Sequence, residues 1–350
     1  VRSGVDYVPN AKIALVGEAW GEHEERAGKP FIGYSGQLLT RMLHGAGINR
    51  EDCTVTNVIC KRPIGNNFAH FCVGLGDRQP DWPEPFRTPI TRTPRAMYLK
   101  EEYWPEVYSL WEEVKAANVI IPLGNTATWA IGGFTASISK HRGVWTPSIP
   151  GPKFLATYHP AAVTREYSLY VICIADFLKA KEGQDTSTFS RPSRKIHVAE
   201  SEEDLQYIRA HIGTRTTLDI ETDRKDLNNL FISCVGFSPT SDLAYVVPFV
   251  RRNRMSYWKT DEEELCAWDL VRDVCESTSI TKILHRAIYD RYVLRRFAGI
   301  EFRGRIEDSL VAHHALYPEL PKSLGFIGSI LTEEPAWKLE RGTRDEKREE

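Results

Sequence analysis

Two sets of polar residues have the spacing that chemistry needs. In the first half of the chain, three polar clusters each close an apolar run: Gly17-Glu18-Ala19-Trp20-Gly21-Glu22-His23-Glu24-Glu25, Thr56-Asn57 and Tyr158-His159-Pro160. A pocket joining a carboxylate, an amide and an imidazole can read and activate a polar heterocycle. Asparagine pairs a donor with an acceptor, as the edge of a base does. Histidine can stabilise negative charge on a departing carbonyl oxygen. A carboxylate can position water and steady a cationic, sugar-like transition state. In the second half, Asp219-Ile220-Glu221 puts two carboxylates on one face of a strand, because strand side chains alternate. Asp290 follows at the start of a helix, and Asp308 begins another. Hard divalent ions prefer such oxygen ligands, and two ions about 4 Å apart can activate water and stabilise the leaving oxygen of a phosphodiester.

The elements that must position these residues follow from apolar patterning. Ile13–Val16, Thr54–Val58, Val119–Leu123 and Phe154–Thr157 read as strands. Ser35–Gly45 (with Ser35 as its cap), Pro105–Ala117, Asn125–Ile131 and Tyr167–Ala180 read as helices. This alternation predicts a three-layer α/β unit, with chemistry at the carboxyl ends of the strands. Residues 62–104, rich in Pro, Gly and Arg, read as a long loop or insertion. A polar, Ser/Thr-rich stretch at 183–195 reads as a linker. Beyond it come strands Thr216–Ile220, Phe231–Phe237 and Leu243–Val247 (the last two antiparallel), then Lys282–Leu284. Helices Ser201–His211, Asp261–Cys275, Arg286–Phe297, Asp308–Ala315 and Lys322–Leu331 complete the second domain. The expected layout is domain 1–182, linker 183–195, domain 196–338 and charged tail 339–350.

Composition bounds the class. The 350 residues suit two domains, and 42% hydrophobic with 26% charged residues is ordinary for a globular chain. No apolar run approaches the roughly 20 residues that span a bilayer, so no membrane partner is expected. Seven scattered cysteines and no signal peptide point to a reducing compartment, the cytoplasm of a bacterial or phage-infected cell. A net charge of -2 neither supports nor forbids a nucleic-acid partner. Locally, Arg87, Arg92, Arg95 and Lys100 form a basic run without an acid.

GEAWGEHEERAGKPFIGYSGQLLTRML resembles the opening motif of the uracil-DNA glycosylase superfamily, particularly families that can hold an iron–sulfur cluster. TNVICKRPIGN resembles the second motif, and IIPLGNTATWAIGG, RGVW and TYHPAAVTR resemble later ones. The resemblance implies acidic roles for Glu18 and Glu24, stacking on a flipped uracil by Phe31, and uracil reading by Asn57. It implies that His159 supports departure of the uracil anion and that Arg165 meets the phosphate backbone. Lys61, Arg62, Arg87, Arg92 and Arg95 are the further cations expected to face DNA. Trp20 stands where the family usually has proline, which predicts a crowded pocket. Cys60 is shifted by one place, and no cysteine precedes the first motif. With Cys60 and Cys72 able to supply two of four thiolates, a cluster is not expected.

LDIETD, HRAIYDRYVLRRFAGIEF and RIEDSLVAHHALYPELPKSLGFIGSIL resemble the DEDD 3′–5′ exonuclease domain of family A DNA polymerases. The family more often has asparagine in place of Arg286. The resemblance implies a ribonuclease H-like mixed sheet, with Mg²⁺ or Mn²⁺ held by Asp219, Glu221 and Asp290. No Tyr-x-x-x-Asp follows Asp308, and Asp345 is a poor substitute, so exonuclease activity is expected to be weak or absent. The combined expectation is a DNA-processing chain, the front of a phage-like or bacterial polymerase. An active uracil-DNA glycosylase with a degenerate exonuclease domain and a non-catalytic DNA-binding module are the alternatives. The expected partners are DNA, single-stranded or at a frayed 3′ end, and a polymerase domain.

Overall fold

The computed structural model describes residues 1–91, 95–190, 193–223, 230–251 and 253–334. It divides into two units: residues 1–191 together with the stretch from 325 on, and residues 192–324. Among the described residues no helix is long and apolar enough to cross a membrane.

The first unit opens with β1 (Ile13–Ala19), α1 (Glu22–Ala27), α2 (Tyr34–Gly45) and β2 (Thr54–Ile59). A short pair, β3 (Cys72–Gly74) and β4 (Met97–Leu99), precedes α3 (Trp104–Val114), β5 (Val119–Pro122) and α4 (Asn125–Gly132). Then come α5 (Ile138–His141), β6 (Trp145–Thr146), β7 (Lys153–Leu155), α6 (Pro160–Val163) and α7 (Leu169–Glu182). The sheet order is β2-β1-β5-β7-β6, parallel except for β6. Alternation along the strands builds two cores. Ile13, Leu15, Val55 and Ile121 face Leu39, Met42 and Leu43 of α2 and Phe177 of α7. Ala14, Val16, Val58 and Ile120 face Val107 and Leu110 of α3 and Trp129 of α4. Both sheet faces are covered, the three-layer arrangement that the alternation predicts.

Ser35 is not the cap of α2. The helix starts one residue earlier, its cap position is Gly33, and the Glu24 carboxylate accepts from the Ile32 and Gly33 amides at 3.0 Å each. The 62–104 segment is more than a loop. Trp82, Phe86 and Ile90 are buried in the second core, and Phe86 stacks on Trp104 with ring centres 4.4 Å apart. The first half of the expected linker is fastened too: Lys153 donates to Thr186 Oγ1 at 2.9 Å and Asn118 to the Gln184 carbonyl at 2.8 Å.

The second unit runs β8 (Lys195–Val198), α8 (Glu202–His211), β9 (Arg215–Thr222), β10 (Ile232–Thr240), β11 (Leu243–Pro248) and α9 (Asp261–Glu276). It closes with β12 (Thr281–Leu284), α10 (Ala287–Ala298), β13 (Ile306–Asp308) and α11 (Ser309–Leu316). Its sheet order is β13-β12-β9-β10-β11-β8. β9, β10 and β11 form an antiparallel meander, and β12 and β13 add in parallel beside β9. This is the ribonuclease H-like mixed sheet. Capping boxes at Ser201/Asp204 and Thr260/Glu263 fix the starts of α8 and α9.

The last helix, α12 (Leu324–Leu331), corrects the expected layout, because the described residues from Gly325 on, 325–334, belong to the first unit. Lys179 donates to the carbonyls of Gly143, Ser329 and Thr332 at 2.9, 3.0 and 2.5 Å, tying the carboxyl end of α12 to α7. Arg142, ion-paired with Asp176, donates to Ser329 Oγ at 2.9 Å and lies over the Phe326 ring. Asp176 also accepts from Thr157, just before the Tyr158-His159 cluster, at 2.6 Å.

Candidate active site

Parallel pairing sets Gly17 of β1 beside Asn57 of β2. Gly17 must lack a side chain, since a methyl group there would stand 2.3 Å from Asn57 Oδ1 and 2.5 Å from Phe31 Cζ. The Phe31 ring lies 5.8 Å from the imidazole of His159, centre to centre. Gly124, after β5, has φ +87°, and a methyl on it would stand 3.2 Å from His159 Cβ. Asn57, Phe31 and His159 thus converge at the carboxyl ends of β1, β2 and β5. Asn57 is 2% and Phe31 6% exposed, so both are held in the protein rather than in water.

His159 caps α6, and its Nδ1 accepts the Ala161 amide at 3.1 Å. That bond leaves the proton of a neutral ring on Nε2. Burial, then the nearby Arg165, push its pKa from 6.5 down to about 4, with Glu24 opposing. The ring is therefore a neutral Nε2–H donor at physiological pH.

Glu18 accepts the Thr126 hydroxyl at 2.6 Å, and burial raises its pKa above the usual carboxylate range. Glu24 has a different task. Its Oε1 is taken by the Ile32 and Gly33 amides, so it shapes the segment that carries Phe31. The Trp20 indole packs on Gly4, where a methyl group would stand 2.0 Å from the ring. The expected crowding falls on that N-terminal segment.

Several expected DNA-facing cations are already paired. Lys61 meets Glu106 at 3.2 Å, Arg62 meets Glu25 at 3.4 Å and Glu22 at 3.7 Å, and Arg87 meets Glu84. Arg95 and Arg165 are exposed, and Arg92 lies outside the described residues.

Arg2, not among the expected site residues, braces the end of β2. Its guanidinium donates to the carbonyls of Asn57 and Val58 at 2.8 and 3.0 Å and to Thr56 Oγ1 at 3.1 Å. It also pairs with Glu106 and the buried Glu113, each at 2.8 Å. No local pattern signals it, because its partners lie more than 50 positions away.

A four-thiolate cluster does not fit the residues present. Cys53 and Cys173 belong to the core on one sheet face, whereas Cys72 packs against the core on the other.

In the second unit, Asp219 and Glu221 are exposed on one face of β9 while Leu218 and Ile220 enter the core. Asp290 is 4% exposed, and its Oδ1 accepts the Ile220 amide at 3.2 Å. Burial, then Asp219, push its pKa up to about 7. Asp308 is a structural carboxylate. It accepts the amides of Arg286, Ala287, Leu310 and Val311 at 2.8–3.4 Å, which holds its pKa low. This grip keeps Arg286 at φ +68°, a conformation asparagine tolerates better. Among the described residues, no three His, Cys, Asp or Glu side chains converge closely enough to hold a metal ion. The expected set of Asp219, Glu221 and Asp290 does not fit a divalent ion as it stands.

Comparison with known proteins places the first part of the chain in a family. A family model of the uracil DNA glycosylase superfamily matches residues 5–180. The Type-4 uracil-DNA glycosylase of Thermotoga maritima is 34% identical over 177 residues, 49% of this chain and 77% of that protein. Its counterpart from Sulfurisphaera tokodaii is 32% identical over 182 residues, 50% of this chain and 70% of that protein. Among solved structures, Brucella melitensis NrnC matches at TM-score 0.30 and 18% identity, over 41% of this chain and 62% of NrnC. Escherichia coli RNase D matches at TM-score 0.28 and 18% identity, over 38% of this chain and 31% of RNase D. With half its length matched by the family model and its strand-end residues assembled around Gly17, the chain belongs to the uracil DNA glycosylase superfamily.

Proposed function

We propose that the first unit is a uracil-DNA glycosylase that hydrolyses the N-glycosidic bond of uracil in DNA without a metal. The convergence of Asn57, Phe31 and a neutral His159 around the bare Gly17 carries this reading. A flipped base enters the pocket and stacks on Phe31. Asn57 reads its donor–acceptor edge. As the glycosidic bond breaks, charge develops on a uracil oxygen, and the Nε2–H of His159 donates to it. A neutral donor aimed at developing charge needs no proton transfer to stabilise it. Glu18, buried beside Thr126, is the carboxylate available to orient water or face the cationic sugar.

Release of free uracil from single- and double-stranded DNA in the presence of a chelator tests this reading, with His159→Ala beside the wild type. Release that survives the chelator and falls about a hundred-fold or more in the variant supports it. Release only on addition of a divalent metal contradicts it.

For the second unit we propose a nucleic-acid-facing role with weak or no 3′–5′ exonuclease activity. Asp290 is committed to the Ile220 amide and Asp308 to four amides, which supports this. Rapid Mn²⁺-dependent shortening of labelled single-stranded DNA, abolished by Asp219→Ala, would overturn it. The order of the two units supports the finer expectation of a polymerase front part. A polymerase palm encoded directly downstream would bear on it.

A further inference from the structure

The ring assigned to stack on uracil stands on an unusual backbone. Phe31 has φ +52°, a left-handed conformation that a bulky residue adopts only when its surroundings impose it. The imposing contacts are explicit. Arg50 donates from Nη2 to the Pro30 carbonyl and from Nη1 to the Phe31 carbonyl, both at 2.8 Å. The same guanidinium donates to Thr40 Oγ1 at 3.2 Å and stands 3.7 Å from Asp6. Beyond Phe31, Glu24 grips the next two amides. Gly36 leaves room for the turn, since a methyl there would stand 1.7 Å from the Phe31 oxygen. Arg50 opens the short turn Arg50–Asp52 just before β2, the strand that carries Asn57.

We propose that Arg50 is a positioning residue for base recognition: by clamping the Pro30 and Phe31 carbonyls it holds the Phe31 ring at the pocket, without touching the base. This rests on the glycosylase reading and adds to it a residue outside the pocket. A planar guanidinium can bridge two neighbouring carbonyls with parallel N–H groups, which an ammonium cannot do in the same geometry.

The test is a double-mutant cycle on the full chain, with Arg50→Met, Phe31→Ala and the pair, read as kcat/KM for uracil release. Arg50→Met is expected to lower kcat/KM about ten-fold or more, and to add less than about two-fold once Phe31 is alanine. Affinity for the same DNA lacking uracil is expected to stay unchanged. Losses that multiply in the pair, or an equal fall in affinity for uracil-free DNA, overturn the proposal. A crystal structure of Arg50→Met supplies a readout independent of activity. Phe31 leaving the left-handed region supports the proposal, and Phe31 keeping it overturns the proposal. If Arg50→Met does not fold, Arg50→Lys is read in the same two ways. If the wild type releases no uracil, the glycosylase reading fails, and the crystal structure alone decides the role of Arg50.

Discussion

Replacing Asp290 with asparagine should stabilise the second unit, and the gain should grow with pH. Asp290 is 4% exposed and its pKa is pushed from 3.8 up to about 7, by burial first and by Asp219 second. The folded chain therefore holds this proton more tightly than the unfolded chain does. The stability it contributes is fully present below about pH 4, declines above that, and is gone once the pH passes about 7. The whole span is worth about 4 kcal/mol. Asparagine keeps the shape and still offers an oxygen to the Ile220 amide, but it cannot ionise. A weaker hydrogen bond offsets about 1 kcal/mol of the gain. The variant should be about 2–3 kcal/mol more stable than the wild type above neutral pH, and near parity at about pH 4. Hydrogen exchange of the β9 and β10 amides reports this unit separately from the other. Lower protection in Asp290→Asn at both pH values would instead show a charged, favourably paired carboxylate in the wild type.

Four further outcomes follow from the first site. Because His159 is already neutral, uracil release should be insensitive to this group from about pH 5 upward and fall only as the pH drops toward 4; a decline centred on the ordinary histidine value near 6.5 would contradict that. In stability terms its depressed pKa makes the fold lose support as the pH falls from 6.5 to about 4, visible as a lower Tm across that window. Gly17→Ala should abolish uracil release while leaving the circular dichroism spectrum unchanged, because its methyl would enter the space of Asn57 Oδ1 and the Phe31 ring. Arg2→Met leaves the buried Glu113 without its cation and should cost about 3–5 kcal/mol in urea unfolding. Recovery of that stability in the double variant Arg2→Met/Glu113→Gln would confirm the cause.

Much of the frame was legible in the residues themselves. Alternation in Asp219-Ile220-Glu221 exposed both acids on one face, and the antiparallel pairing of the two strands after it held. Strand-end placement brought Asn57 and His159 to one pocket from positions about a hundred apart, a consequence of parallel sheets concentrating loops at one edge. What local patterning could not show were long-range satisfactions of backbone groups. Glu24 in place of Ser35 at the start of α2, Arg50 under Phe31 and Arg2 under Asn57 all act on carbonyls or amides distant in sequence. The destination of α12 was hidden for a related reason. The apolar run LGFIGSIL announces a buried helix, but the groups that receive it, Arg142 and Lys179, belong to the same unit and lie 150 or more positions earlier in the chain than Ser329. Asp308, at the start of a helix and outside the expected ligand set, read more readily as a cap, and its four amide donors make it one.

The most direct measurement is free uracil released from a single-stranded oligonucleotide by the full chain in chelator, with Asn57→Ala run beside the wild type. The wild type is expected to give one uracil and one alkali-labile abasic site per turnover, slowed about a hundred-fold or more by the variant. Equal release by both proteins, or none by the wild type, would contradict the glycosylase reading.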